Sequence, residues 1–207
     1  MSASADIIDL ESRRGRSTYS AVAIALHWLI AALMLSNIAL AWYFTKLKGP
    51  AEAAPLALHK SIGVTVLLLS LARVGWRLTH AAPPLPPAMK PWERFAARAV
   101  HVIFYGLMLG MPLSGWAMVS ASPLIRVRPT VLFGVIPWPA FPLPGLSSDQ
   151  LHDLRHLFGA THSALALVAY AVIVLHVAAA LKHHFLDRDD VLTRMAPLLR
   201  KRAGAGS

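Results

Sequence analysis

The sequence predicts an all-α integral membrane protein, a bundle of four spanning helices. Of its 207 residues 56% are apolar and only 14% are charged, whereas a soluble domain carries about a quarter charged residues. Four long apolar runs each approach the roughly 20 residues that cross a bilayer as a helix. The charge is +10, but the Lys and Arg residues fall between those runs and not in one patch, which argues against nucleic acid as a partner. The chain has no cysteine, which removes disulfides, thiolate metal sites and cofactors attached through a Cys-x-x-Cys-His motif.

Residues 1–18 form a polar tail, and residues 19–186 make up the transmembrane unit. Span 1 covers about 21–44, inside an uncharged run from Arg16 to Lys46. It is too long for the apolar core of a cleaved leader and is expected to stay. Span 2, about 56–78, is uncharged only over Ser61–Ala72; its flanking Lys60 and Arg73 can snorkel toward opposite interfaces. Span 3, about 97–119, lies between Arg98 and Arg126. Pro112 is expected to kink it. Gly106, Gly110 and Ser114 recur every four residues, a small-residue ridge on which a helix or a flat cofactor could lie. The outer loop, 120–155, contains Pro129, Pro137, Pro139, Pro142 and Pro144. It cannot satisfy its own backbone in lipid, so it is expected on the membrane face, with Trp138 and Phe141 as interfacial anchors. Span 4 covers about 156–182, and 187–207 is a second polar tail.

An even number of spans puts both termini on one side. That side holds Arg13, Arg14, Arg16, Arg73, Arg77, Lys90, Arg94, Arg98, Lys182, Arg188, Arg194, Arg200, Lys201 and Arg202. The other holds only Lys46, Lys48, Lys60, Arg126, Arg128 and Arg155. The positive-inside rule then places both termini in the cytoplasm.

Ten histidines are unexpected in so apolar a chain, because ionisable groups inside a membrane are costly and mark function. His162 and His176 are fourteen residues apart in span 4, close to four helical turns, so they share a face about 21 Å apart along the axis. His27 on span 1 matches the inner depth of His176, and His59 on span 2 the outer depth of His162. Two histidine pairs at two depths are what two stacked bis-histidine b haems require, since each iron takes an imidazole on either side and the macrocycle is apolar. A membrane histidine can also be a plain hydrogen-bonding residue. His101 shares the inner depth and is a rival ligand, or a partner for a haem propionate or quinone. His152-x-x-x-His156 has the spacing of a helical metal pair, without an obvious third ligand. His183 and His184 read as interfacial.

Four stretches carry a family resemblance: Tyr19–Trp28 with its His27-Trp28; His59-Lys-Ser-Ile-Gly63 with Arg73 and Trp76-Arg77; His101-Val-Ile-Phe-Tyr105 followed by Pro112-Leu-Ser-Gly-Trp116; and His176 continuing through His183-His-Phe-Leu-Asp-Arg-Asp-Asp190 to Arg194-Met195. In this order, over about residues 18–197, the sequence resembles the bacterial cytochrome b561 family of four-helix diheme membrane cytochromes. The resemblance implies that His27 and His176 ligate an inner haem and His59 and His162 an outer one. It also implies a haem-dependent oxidoreductase, since the family includes a superoxide oxidase that passes electrons from periplasmic superoxide through the haems to ubiquinone.

Lys46, Lys48, Lys60, Arg126, Arg128 and Arg155 could form a funnel for that anion, although interfacial charges are common without one. Arg73, Arg77 and His101 are candidate quinone or propionate contacts on the inner side. Two other functions fit the composition. One is a cytochrome b relay between quinol and a partner protein; the other is a histidine-rich metal or proton transporter, which would lack a haem spectrum.

Overall fold

The computed structural model describes residues 18–199, so the tail expected over 1–18 lies outside the described residues except for Thr18. The architecture is all-α, with four helices long and apolar enough to cross a membrane. They are α1 (Ala21–Phe44), α2 (Ala53–Thr79), α3 (Pro91–Ser120) and α4 (Ser148–Lys182). A short helix α5 (Val191–Met195) follows. The only strands among the described residues, β1 (Val131–Leu132) and β2 (Ile136–Pro137), pair antiparallel in the outer loop.

Helix starts follow their capping chemistry. The Ser20 hydroxyl accepts the Ala23 N–H at 3.3 Å and opens α1. Pro91 opens α3, where its missing N–H costs nothing, and the Glu93 carboxylate accepts the Lys90 N–H at 3.0 Å. Ser147 and Gln150 form a reciprocal capping box: Ser147 N–H donates to Gln150 Oε1 at 2.9 Å, and Gln150 N–H to the Ser147 hydroxyl at 3.3 Å. This box starts α4 at Ser148, eight residues before the apolar span read from the sequence, so Asp149, Asp153 and Arg155 ride on a helix that projects past the apolar segment.

Packing is uneven around the bundle. Helix α3 lies closely along α4, α1 along α2, and α2 along α3, whereas α4 stands off from α1 and α2. Ile30, Val66 and Met108 join α1, α2 and α3 in one buried cluster, and Leu107, Ala169 and Val172 join α3 to α4 in another. Few side chains bridge the open seam. The Trp42 indole N–H donates to the Tyr170 hydroxyl at 3.2 Å across it.

The outer loop is stapled to the bundle. The Ser61 hydroxyl accepts the Phe133 N–H at 2.9 Å, the Ser120 hydroxyl the Phe141 N–H at 2.8 Å, and the Trp116 indole donates to the Pro139 carbonyl at 2.9 Å. Trp138 and Phe141, expected as interfacial anchors, pack on Trp116 with ring centres 5.6 and 5.1 Å away. Proline-rich backbone needs fixed partners, and these side chains supply them. The residues that project are Phe133, Val135 and Ile136 at the hairpin tip.

The described portion of the segment expected as a C-terminal tail is folded. A π-helical turn, His183–Asp187, ends at Arg188 in the left-handed region (φ 54°). His183 Nδ1 then bonds Asp189 at 2.7 Å, and Lys182 bridges Glu93 and Asp187 at 2.9 and 2.6 Å. Arg194 reaches the Pro84 carbonyl at 2.6 Å, and Trp28 donates to the Met195 carbonyl at 2.7 Å. This cap ties α1, the α2–α3 linker, α3 and α4 together at one end. It also accounts for the histidine–carboxylate cluster of His183, Asp187 and Asp189, because the Lys182 ammonium already neutralises Asp187.

Candidate functional site

The open seam holds the histidines. His27 on α1 faces His176 on α4 with ring centres 6.2 Å apart, and His59 on α2 faces His162 on α4 at 6.3 Å. With metal–imidazole bonds of about 2.0 Å and a ring centre about 1.1 Å beyond each nitrogen, two axial imidazoles on one metal have centres about 6.2 Å apart. Both pairs therefore stand at the separation that one shared iron requires. All four rings are half-buried.

Hydrogen bonds fix which nitrogen of the outer pair is free. His59 Nδ1 lies 3.3 Å from the Asn37 carbonyl, and His162 Nδ1 lies 3.0 Å from the Met111 carbonyl. A carbonyl only accepts, so Nδ1 carries the proton in both rings and Nε2 presents its lone pair. A backbone acceptor behind Nδ1 is the usual support for a metal-bound imidazole. Ser114 completes the arrangement, donating to the same Met111 carbonyl at 2.7 Å while standing 3.2 Å from His162 Nδ1.

At the inner end the structure brings together three rings. His101 also stands 6.2 Å from His176, and its Nδ1 bonds the Ala97 carbonyl one turn back. The packing separates the rivals. His101 belongs to α3, which is packed along α4, so a macrocycle between His101 and His176 would have to pry apart a joined pair of helices. His27 approaches from α1, across the seam where α4 stands off. His101 is also exposed, whereas His27 is half-buried. Two imidazoles facing across an apolar, loosely packed seam fit a b-type haem, which needs two such donors and a dry slot for its ring.

The other predicted residues distribute as follows. Arg73 is half-buried, and its Nη1 donates to the Ala23 carbonyl at 3.1 Å, one turn before His27. Arg77 is exposed and donates to the His80 carbonyl at 3.2 Å, so it belongs to the α2 terminus more than to the seam. Lys46, Lys48, Arg126, Arg128 and Arg155 are exposed, and Lys60 is half-buried. None of the six is in an ion pair among the described residues.

Two contributors were not singled out from sequence. Asn37, a lone carboxamide in the apolar α1, supplies the carbonyl behind His59, and its own buried Oδ1 has no partner among the described residues; a polar side chain in mid-span was the available signal. Gly115 faces the His162 ring closely enough that a side chain would touch it. The ridge read from sequence is only partly an interface. Gly110 meets Leu165 of α4 and Ser114 meets His162, but nothing lies within 4 Å of the Cβ position of Gly106.

The family profile described as prokaryotic cytochrome b561 matches residues 18–197. Cytochrome b561 homolog 2 of Escherichia coli (strain K12) is 34% identical over 180 residues, covering 86% of this chain and 90% of that protein. The probable superoxide oxidase CybB of Yersinia pestis is 31% identical over 186 residues, covering 88% and 97%. Cytochrome b561 homolog 1 of Escherichia coli is 27% identical over 185 residues, covering 86% and 97%. The match runs through all four spans and the folded cap beyond them, and the chain belongs to the prokaryotic cytochrome b561 family, a family of helical membrane cytochromes that carry b-type haem.

Proposed function

We propose that this chain holds two b haems, one between His27 and His176 and one between His59 and His162, and that it moves single electrons from periplasmic superoxide to ubiquinone in the inner membrane. The observation that carries this reading is the pair of histidine separations, 6.2 and 6.3 Å, at two depths of one seam. When bound, the haems supply two one-electron centres inside the membrane.

The residues of the chain do the rest. His59 and His162 keep Nδ1 protonated against backbone carbonyls, so each offers a neutral Nε2. Six basic residues on the outer side, against Glu52, Asp149 and Asp153 there, leave that face positive and raise the encounter rate of a small anion. Each superoxide gives one electron and leaves as dioxygen; two electrons and two protons make one quinol. One relative is itself a probable superoxide oxidase, which favours superoxide over a protein donor.

The proposed acceptor site is at the inner end, beside the His27/His176 pair, where the Arg73 guanidinium can donate to a quinone carbonyl and His101, its Nδ1 proton held by the Ala97 carbonyl, offers an Nε2 lone pair to a quinol hydroxyl. A cleft of about 360 Å³ between α3 and α4, lined by Gly110, Leu113, Ala117, Phe141, Leu157 and Phe158 with the hydroxyls of Ser114 and Thr161, is apolar. Both hydroxyls already donate to backbone carbonyls, at 2.7 and 2.9 Å. The cleft thus suits an isoprenoid or acyl tail better than a quinone head.

Rapid mixing of the oxidised protein with superoxide, with and without a short-chain ubiquinone, tests this function. Haem reduction should outrun the spontaneous decay of superoxide, and the quinone should reoxidise the protein. Reduction no faster than that decay, with both haems in place, would leave the relay between quinol and a partner protein.

A further inference from the structure

The first two turns of α4 carry a second histidine pair, outside the seam. His152 and His156 are both exposed, and their Nε2 atoms converge to 3.2 Å. With bonds of about 2.0–2.1 Å, two imidazole nitrogens on one metal lie about 2.9 Å apart at a right angle and about 3.3 Å apart at the tetrahedral angle. The observed separation falls between these values. The rings are set at 61° with centres 4.5 Å apart, an arrangement that the i, i+4 spacing of a helix holds rigidly.

Two carboxylates stand beside the pair, a local exception on an otherwise basic side that also carries Arg155. Asp149, His152, Asp153 and His156 follow i, i+3, i+4, i+7 spacing, which gathers them on one face. The Asp153 carboxylate lies 3.8 Å from His152 Nδ1, beyond hydrogen-bond reach but close enough to add negative charge beside the pair. Among the described residues no third histidine or carboxylate joins the pair in a closed set, so the remaining positions would belong to water. An open, two-imidazole site suits borderline divalent transition ions, and the affinity order of those ions puts Cu(II) first.

We propose that His152 and His156 form a surface site for a divalent transition ion, Cu(II) by preference, on the outer extension of α4. The site is separate from the seam, since His156 precedes His162 by six residues, about 9 Å along the helix axis. Binding breaks the hydrogen bond between the two Nε2 atoms: the ring that carried its proton on Nε2 takes it up on Nδ1 by exchange with water, and both Nε2 lone pairs go to the metal.

The experiment uses the full-length, haem-loaded protein in detergent, with no affinity tag of histidines, and Cu(II) as the probe. Electron paramagnetic resonance should show one Cu(II) per chain with hyperfine coupling to two imidazole nitrogens. Loss of a group that merely supports a metal ligand costs about 10–100-fold in affinity, so His152→Ala and His156→Ala should each weaken binding by about tenfold or more, with the haem spectrum unchanged. Both side chains point into water, and neither substitution disturbs packing. Absence of saturable binding, or Cu(II) affinity within about threefold of the parent in both variants, would overturn the site. Coupling to nitrogens that persists in the double variant would assign the ion to other histidines and overturn it equally.

Discussion

Gly115 makes room for the ring of His162: a methyl group on its α-carbon would stand 3.1 Å from Cε1 and 3.3 Å from Nδ1 of that imidazole. Such a contact is too tight to absorb without moving the ring, and the ring is held from behind by Met111 and Ser114. Alanine is otherwise about 0.8–1.0 kcal/mol better than glycine inside a helix, so a loss here would come from the histidine. Gly115→Ala is expected to shift or empty the outer haem site alone. A redox titration of the purified variant checks this: one component should keep its potential while the other moves or disappears. Two unmoved components would mean that the ring adapts at no cost.

The pairing of ligands has its own test. His27→Ala and His176→Ala should remove the same haem, and His59→Ala and His162→Ala the other, halving the haem-to-protein ratio by pyridine haemochrome in each case. His101→Ala should keep both haems. If His101→Ala loses a haem that His27→Ala retains, the inner site lies between α3 and α4 after all.

The side of the membrane follows from the basic residues. A reporter active only in the cytoplasm, fused after Ser207, should be active. If a reporter that works only in the periplasm is active there instead, the orientation reverses and the basic face no longer meets periplasmic superoxide.

Steering by exposed charge must weaken with salt. The Debye length falls from about 10 Å at 0.1 M to about 3 Å at 1 M, so reduction by superoxide should slow as ionic strength rises. Neutralising Arg126 and Arg128 together should slow it at low salt without removing haem. A rate flat across that range would exclude the funnel while leaving the haem sites untouched.

The four helices and the shared face of His162 and His176 were legible because both are local, periodic properties, and the facing of His27 and His59 was legible only as a match of depth. Runs such as Ala21–Phe44 record the thickness of a membrane, and a fourteen-residue spacing records a helix face. Apolarity marks the limits of lipid, however, and not those of a helix. The charged start of α4 was missed for that reason, although Ser147 and Gln150 spelled out its cap. Gly115, the docking of Trp28 on Met195 and the stapling of the proline-rich loop to Ser61 and Ser120 depend on contacts between distant regions of the chain. The four-residue repeat picks out Gly106, where a side chain would meet nothing within 4 Å, and passes over Gly115, where one would meet His162.

His162 and His176 sit on one helix, the last of the four to leave the ribosome. Each proposed ligand pair therefore takes one member from early in synthesis, His27 or His59, and the other from α4. Until α4 enters the membrane neither pair exists, and the half-made protein offers only single imidazoles on α1 and α2. On the proposed ligand pairs cofactor loading requires α4, and a chain cut short before α4 should reach the membrane colourless.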